Sequence, residues 1–516
     1  MSLIKRAMPD SRKKIMGLDE LASKITGLRT KGEKVVLCHG VFDLLHIGHI
    51  RHFEQARLHG DILVVTLTPD CYVNKGVHRP AFTEKLRAEA LAALSIVDFV
   101  GINQWPTAVE TLRLLRPEVY CKGSEYRKNQ VDAQSHMLPE VTEAEKLDIA
   151  IEYTEDITSS SSELINRYFS HLSPQADNWL QHFRTEHSVN DITDYLDALR
   201  TLKVLVVGEA IIDEYLLCGA LGKSTKDPVL ACRYLETESI AGGSLAVANH
   251  VAGFCDEVRL VTCLGDRERR EDFVGAALLP NVESVLLTKS NSPTIHKRRI
   301  VDQYTENRLF ELYLMEDRPL YGNDESKLNK TLREGLEDWD VVIVSDFGHG
   351  LLTPLNIETL CSGARFLAVN TQSNAGNRGF NPISKYRRAD YVCLANHEIS
   401  IETRMRKGNL HDHVLEVAQR VVCPRFTVTR GQEGSKHYEK NKGFVDVPAF
   451  ATNVTDRVGA SDSVLALSSL LVSQGVPWDI VGFISNVSGA QMVAEMGNSI
   501  MLNKEKITKF IISLLK

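Results

Sequence analysis

Apolar positions in the first third of the chain fall into short blocks separated by amphipathic stretches. Residues 17–31 set Leu18, Leu21, Ile25 and Leu28 on one face, the spacing of a helix. Lys34 to Cys38 then forms a compact apolar run, followed by a turn and a helix from about His46. Further runs at Ile62–Leu67, Val97–Ile102, Val119–Cys121 and 149–153 read as strands. Helical stretches at 83–95 and 106–116 lie between them, and another helix is expected from about Ser160. Apolar runs alternating with helices in this way predict a parallel sheet covered on both faces.

The rhythm breaks at 170–200, where Trp179, Phe183, Ile192, Tyr195 and Leu199 follow Ser173-Pro174 at helical spacings. It restarts with Lys203–Gly208 and continues through Val258–Cys263, Val341–Ser345, Phe366–Asn370, Tyr391–Leu394 and Phe426–Thr429. The expected organisation is therefore an α/β domain over 1–169, a helical connector over 170–202 and a second α/β domain over 203–516. No repeat relates the halves, and Ser159–Ser162 is the one low-complexity tract.

A chain of 516 residues exceeds what one core organises, in keeping with two domains. A net charge of −7 argues against a general nucleic-acid-binding surface, while leaving room for a local basic pocket. The ten cysteines are scattered without a Cys-x-x-Cys pair, which points to reduced thiols and a cytoplasmic setting. The basic N-terminal stretch carries no apolar block of signal-peptide length, and no apolar run is long enough to span a membrane.

Candidate chemistry begins at 39–49, HGVFDLLHIGH, between the first strand and its helix. That is where a parallel α/β sheet takes ligands. A helix start offers unpaired N–H groups to phosphate, and His46 and His49 add two donors from one turn. Gly40 is expected to permit a tight turn, and Gly48 to let a nucleotide lie over the backbone. Lys75, Arg79, Arg87 and Lys122 supply cations near strand ends, and Ser160, Ser161 and Ser162 precede another helix. Attack of an oxygen nucleophile on an α-phosphate, with pyrophosphate leaving, needs alignment and charge stabilisation more than a side-chain nucleophile.

Residues 34–168 resemble the cytidylyltransferase-like nucleotidyltransferases through GVFDLLHIGH, the stretch at 75–80, LRAEALAALSIVDFV, CKGSEY and SSSSELI. Within that family they look like the adenylyltransferase half of the bifunctional heptose kinase/heptose-1-phosphate adenylyltransferases of lipopolysaccharide core synthesis. The resemblance implies a Rossmann-like domain with His46, His49 and Lys75 on the triphosphate. It implies Gly40, Phe42, Gly48, Arg87, Lys122 and Ser160–Ser162 at the nucleotide, and Asp43 orienting the loop or meeting the acceptor. Class I aminoacyl-tRNA synthetases share the histidine motif, but their lysine-rich loop has only a faint echo in Lys223–Lys226, in the second domain.

The second domain carries VLVVGEAIIDEY at 204–215, Ala241-Gly242-Gly243-Ser244 before a helix, and DRVGASDS at 456–463. A glycine-alanine turn opening a helix makes an anion hole, and an aspartate beyond it can take a proton from a hydroxyl. That combination suits phosphoryl transfer from ATP to an alcohol. With the turn at Thr429–Gly434, these segments resemble the ribokinase-like (PfkB) sugar kinases over about 203–516. The resemblance implies Asp462 as base, Gly459, Ala460 and Ser461 as anion hole, and Asp213, Gly242 and Gly243 as sugar cradle. Lys297 would meet a phosphate of the sugar, and Thr429, Gly431 and Gly434 would lie along the adenine nucleotide.

Four positions depart from that pattern. The sugar-contacting asparagine is Ala246, Asp-Pro-Lys reads Asn370-Thr371-Gln372, the acid of Asn-x-x-Glu comes one place early at Glu398, and a glycine is Ser461. The expectation is an enzyme of nucleotide-sugar synthesis, with the nucleotidyltransferase ahead of the kinase. It would use ATP or CTP with Mg²⁺ and a sugar or polyol phosphate, and the resemblances imply a homodimer. The alternatives are a nucleotidyltransferase with a degenerate kinase fold, or a nucleotide- and sugar-binding protein without turnover.

Overall fold

The computed structural model describes residues 11–73, 80–123, 138–154, 172–305, 307–405 and 407–515. The chain forms two compact units, one over Met1–Ser170 and the other over His171–Leu515. None of the described helices is long and apolar enough to cross a membrane.

The first unit is built on five parallel strands, β1 (Val35–Gly40), β2 (Ile62–Leu67), β3 (Phe99–Ile102), β4 (Val119–Gly123) and β5 (Ala150–Thr154). Their order is β3-β2-β1-β4-β5. Along β1, Val36 and Cys38 enter one apolar cluster and Val35 and Leu37 the other. Both faces are therefore covered, which is why these strands read as unbroken apolar runs. The helix expected from about His46 spans Ile47–Arg57, and the stretch at 83–95 contracts to Glu84–Ala92. A helix at Leu138–Lys146 was not foreseen.

Arg87, expected at the nucleotide, serves instead as an internal tie. Its fully buried guanidinium donates to the carbonyls of Phe82 and Val41, to the Thr68 carbonyl at 2.9 Å and to Asp70 Oδ1 at 2.6 Å. These acceptors lie beyond the ends of β1 and β2, so the side chain braces the loops that frame the crevice.

In the second unit a large sheet combines β6 (Lys203–Gly208), β9 (Glu257–Arg267), β10 (Val282–Pro293), β13 (Val341–Asp346), β14 (Leu367–Thr371), β15 (Tyr391–Ala395), β16 (Arg425–Thr429), β17 (Ser435–Glu439) and β18 (Gly443–Val447). The order is β10-β9-β6-β13-β14-β15-β16-β17-β18, parallel as far as β16 and antiparallel thereafter. Val204 and Val206 face one core, Leu205 and Val207 the other. A separate four-stranded sheet, unforeseen from the sequence, has the order β12-β11-β7-β8. Its strands are β7 (Ala210–Lys223), β8 (Leu230–Gly243), β11 (Ile295–Asp302) and β12 (Arg308–Leu314).

The helices at Pro174–Glu186 and Val189–Ala198, expected as a connector, are built into this second core. Ala176, Leu180, Phe183, Ile192 and Leu196 are buried in the same cluster as Val204 and Leu245. Ser173 caps the first helix by accepting the Ala176 N–H, and Ser188 with Asp191 forms a capping box on the second.

Replacing Arg87 by leucine should cost about 3–5 kcal/mol, because buried carbonyls and Asp70 lose their donor. Thermal unfolding of the full chain should show the first unit melting earlier. An unchanged melting profile would contradict the tie.

Candidate active sites

In the first unit the strand order reverses direction between β1 and β4, which opens a crevice beyond their carboxyl ends. His46 is the N-cap of the helix Ile47–Arg57. Its Nδ1 accepts the Gly48 N–H at 3.1 Å, and the His49 Nδ1 accepts the His46 N–H at 3.4 Å. A neutral imidazole that accepts at Nδ1 carries its proton on Nε2. Both rings, 4.0 Å apart between centroids, therefore present Nε2–H as a donor from one helix start.

The two glycines are explained by these rings. A Cβ on Gly48 would stand 2.9 Å from His46 Cε1, and one on Gly40 would stand 3.1 Å from the Phe42 ring. Gly48 thus clears its own capping histidine, and Gly40 clears Phe42 rather than making a left-handed turn. Phe42 itself holds a positive φ of 47°, a strained conformation for a phenylalanine. Its ring packs edge-on to His49 at 5.4 Å and against Phe53 at 5.2 Å. Asp43 is buried, and its Oδ1 accepts the Phe82 N–H at 3.2 Å.

Lys122, at the end of β4, is buried and reaches the His39 carbonyl at 3.4 Å. It forms an ion pair of 3.1 Å with Glu140, a residue the sequence reading missed. Glu140 also accepts from Tyr120 Oη at 2.7 Å and from the Ala108 N–H at 2.8 Å. Burial raises its carboxyl, but Lys122, His39 and these donors outweigh that and bring it down to about 2. The imidazole of His39 lies between Thr66 and Thr68 and falls to about 4 through burial, with Lys122 adding to the effect. Lys75, Ser160, Ser161 and Ser162 lie outside the described residues.

In the second unit, Gly459 caps the helix Ala460–Ser473 with φ +84°. A Cβ there would stand 2.0 Å from Asn498 Oδ1, so glycine is required on both counts. Ala460 and Ser461 open the first turn, and Asp462 is buried behind them. Gln372 Nε2 donates to Asp462 Oδ1 at 2.9 Å. Burial and the Asp213 carboxylate push Asp462 up to about 7, against Gln372, Lys297 and Asn498. Lys297 is buried between the rings of Phe347 and Tyr313, at 5.4 and 5.6 Å. Burial lowers its ammonium, while Asp213 and Asp462 pull the other way.

Asp213 is paired with Arg299 at 2.6 Å, and a Cβ on Gly242 would collide with its Oδ2 at 2.1 Å. Gly243, at φ +58°, passes close to the Glu209 carbonyl. Asp456 was missed. It accepts from Tyr215 Oη on β7 at 3.1 Å and the Gly497 N–H at 2.9 Å, and pairs with Arg308 on β12 at 2.5 Å. It thereby ties the four-stranded sheet to the loop of the anion hole. The Thr429–Gly434 turn is a hairpin between β16 and β17. Gly434, at φ +84°, lies where a Cβ would stand 2.1 Å from the Val447 carbonyl, and Gly431 is also at positive φ.

Glu398 is bonded to the backbone through both oxygens. Its Oε1 accepts the Ser373 N–H and its Oε2 the Ala395 N–H, and burial pushes its carboxyl up to about 7. The metal-capable cluster among the described residues, Glu186, His187 and Asp479, contains none of the candidate residues.

Comparison with known proteins divides the chain at the same place. Residues 37–167 match the cytidylyltransferase-like family. Bifunctional protein HldE of Geotalea uraniireducens is 43% identical over 130 residues, 25% of this chain and 26% of that protein. HldE of Geobacter metallireducens is 41% identical over 119 residues, 23% and 24% of the two chains. Each match thus spans about a quarter of the relative's length. Among solved structures, phosphofructokinase-2 of Escherichia coli is 14% identical with a TM-score of 0.49, over 61% of this chain and 100% of that one. Residues 201–505, more than half of the chain, match the pfkB carbohydrate kinases. The chain belongs to the pfkB family of carbohydrate kinases, and carries a cytidylyltransferase-like domain ahead of its kinase domain.

Proposed function

We propose that the first unit is a nucleotidyltransferase and the second a carbohydrate kinase, the two serving nucleotide-sugar synthesis. The paired imidazoles carry the first half of this reading. Two Nε2–H donors stand together at the positive end of one helix, where a triphosphate can lie. An oxygen of a sugar or polyol phosphate attacks the α-phosphorus of ATP or CTP, the bond to the β-phosphate breaks, and pyrophosphate leaves. The histidines stabilise the charge that develops, and Lys122, fixed by Glu140, adds a cation at the end of β4. Support for the substrate class comes from the likeness to the HldE proteins.

In the second unit Asp462 takes the proton of a sugar hydroxyl, whose oxygen attacks the γ-phosphorus of ATP while ADP leaves. The N–H groups of Gly459–Ser461 and the ammonium of Lys297 balance the charge on the transferred group. The sugar lies by Asp213 and Gly242, and the nucleotide along the Thr429–Gly434 turn. Mg²⁺ would accompany the nucleotide as its counter-ion. The protein acts in the cytoplasm, as a homodimer.

Three outcomes test the two halves. His46→Ala or His49→Ala should lower pyrophosphate release by at least ~10²-fold, the scale of losing one donor to a developing charge. Unchanged turnover would remove the site from consideration. Asp462→Asn should abolish ADP release with sugars, and the wild-type kcat/KM should rise tenfold per pH unit below about 7 and level off above it. A flat profile between pH 5 and 8 would contradict Asp462 as base.

The same carboxyl predicts a stability effect of definite sign. Its folded pKa lies above the unfolded value of about 4, so its contribution falls as pH rises from about 4 through about 7. Asp462→Asn should therefore raise the melting temperature more at pH 8 than at pH 5. A melting difference independent of pH would show that the carboxyl is not titrating in this window.

A further inference from the structure

A cavity of about 200 Å³ opens in the second unit beside the anion hole. Ala246, Asn249 and His250 line it from one face of the helix Ser244–Ala252, with Asn498 and Ser499 opposite and Glu238 at the rim. It far exceeds the ~10–15 Å³ that one water requires. Its polar lining is incompletely paired. His250 is 1% exposed and Asn498 is 7% exposed. His250 Nε2 and both amide atoms of Asn498 are buried without a hydrogen-bond partner. Asn498 stands beside both His250 and Asp462 and acts electrostatically on each.

The donors can be assigned. His250 Nδ1 accepts the Leu502 N–H at 3.3 Å, which leaves the proton of the neutral ring on Nε2. Burial lowers the imidazole to about 4, so the ring is neutral at physiological pH. The cavity therefore offers an N–H donor and an amide that both donates and accepts. No lysine or arginine lines it, and the carboxylate at its rim repels anions. That chemistry selects hydroxyl groups over phosphate. Position selects the same class. Asn498 abuts Gly459, and Ala241 in the lining precedes Gly242, which abuts Asp213.

We propose that this cavity seats an uncharged, polyhydroxylated segment of the sugar or polyol phosphorylated at Asp462, with its hydroxyls on the His250 Nε2–H and the Asn498 amide. This rests on the kinase reading above, which it deepens by naming what holds the acceptor away from the reacting hydroxyl. Such a segment would satisfy groups that burial has stripped of water. Ala246 leaves the room, and Ser499, an exposed residue of the lining, can be enlarged to close it.

The test is calorimetric titration of the full-length protein with ribose, fructose, mannitol and sedoheptulose, with and without a non-hydrolysable ATP analogue. ADP release is measured in parallel. His250→Met removes the donor at similar volume, and Ser499→Phe fills the cavity from an exposed position that tolerates bulk. At least one probe should bind the wild type, and each variant should weaken it by tenfold or more. Affinities unchanged in both variants, or no binding by any probe, would overturn the cavity assignment. Binding that both variants weaken, without any ADP release, would sink the kinase reading while leaving the cavity as a sugar site. ADP release with wild-type affinities in both variants would do the reverse.

Discussion

The leading N–H groups of a helix have no carbonyl to bond, and both candidate centres are arranged around that deficit. In the first unit His46 takes one of these groups on its own Nδ1, which leaves the ring's proton on Nε2. His49 repeats the device one turn on, by accepting the His46 N–H. In the second unit no side chain caps the helix Ala460–Ser473. A left-handed Gly459 brings the chain into that helix. The capping residue thus decides whether a helix start presents imidazoles or bare peptide nitrogens, and so what chemistry it can support.

Charge is handled differently in the two units. Lys122 is buried against Glu140, whose carboxylate is held ionised by the lysine and by two further donors, so a fixed ion pair stands at the end of β4. Around Asp462 the pairing is deliberately incomplete. Arg299 claims Asp213 at 2.6 Å, while Lys297 lies among aromatic rings within the electrostatic reach of both carboxylates. Burial without a dedicated cation is what brings Asp462 up to about 7, where a carboxylate can both accept and release a proton.

The sequence was informative where burial is two-sided. The strands β1, β2, β6 and β13 are short apolar runs because both faces are covered, and such runs are visible without any partner. The four-stranded sheet escaped notice because β8 and β12 interleave exposed charges with few buried side chains. Their strand character comes from pairing with β7 and β11, far away in sequence. Site residues followed the same division. Among the candidates, His46 with Gly48 and Gly459 with Asp462 are legible because each pair falls within one turn. Glu140 and Asp456 are placed by tertiary contacts, and Arg87, a cation near the right strand ends, is consumed as a brace. For Gly40 and Gly48 the requirement for glycine comes from neighbouring rings that spacing does not reveal.

The departures from the kinase pattern bear on whether the second unit is worn down or differently tuned. A site losing function accumulates polar groups without purpose, each costing stability when buried. Gln372, standing where the family has a lysine, donates to Asp462, and Asn370 donates to the Cys393 carbonyl at 2.7 Å. Glu398, one place early, closes the start of its own helix and holds the Ser373 N–H. Gln372 and Glu398 are thus built into the bonding around Asp462 and the strands that carry it, whereas Asn370 keeps its Oδ1 buried without a partner. Polar groups with such partners mark a retuned site more than an eroded one, because erosion would leave them unbonded.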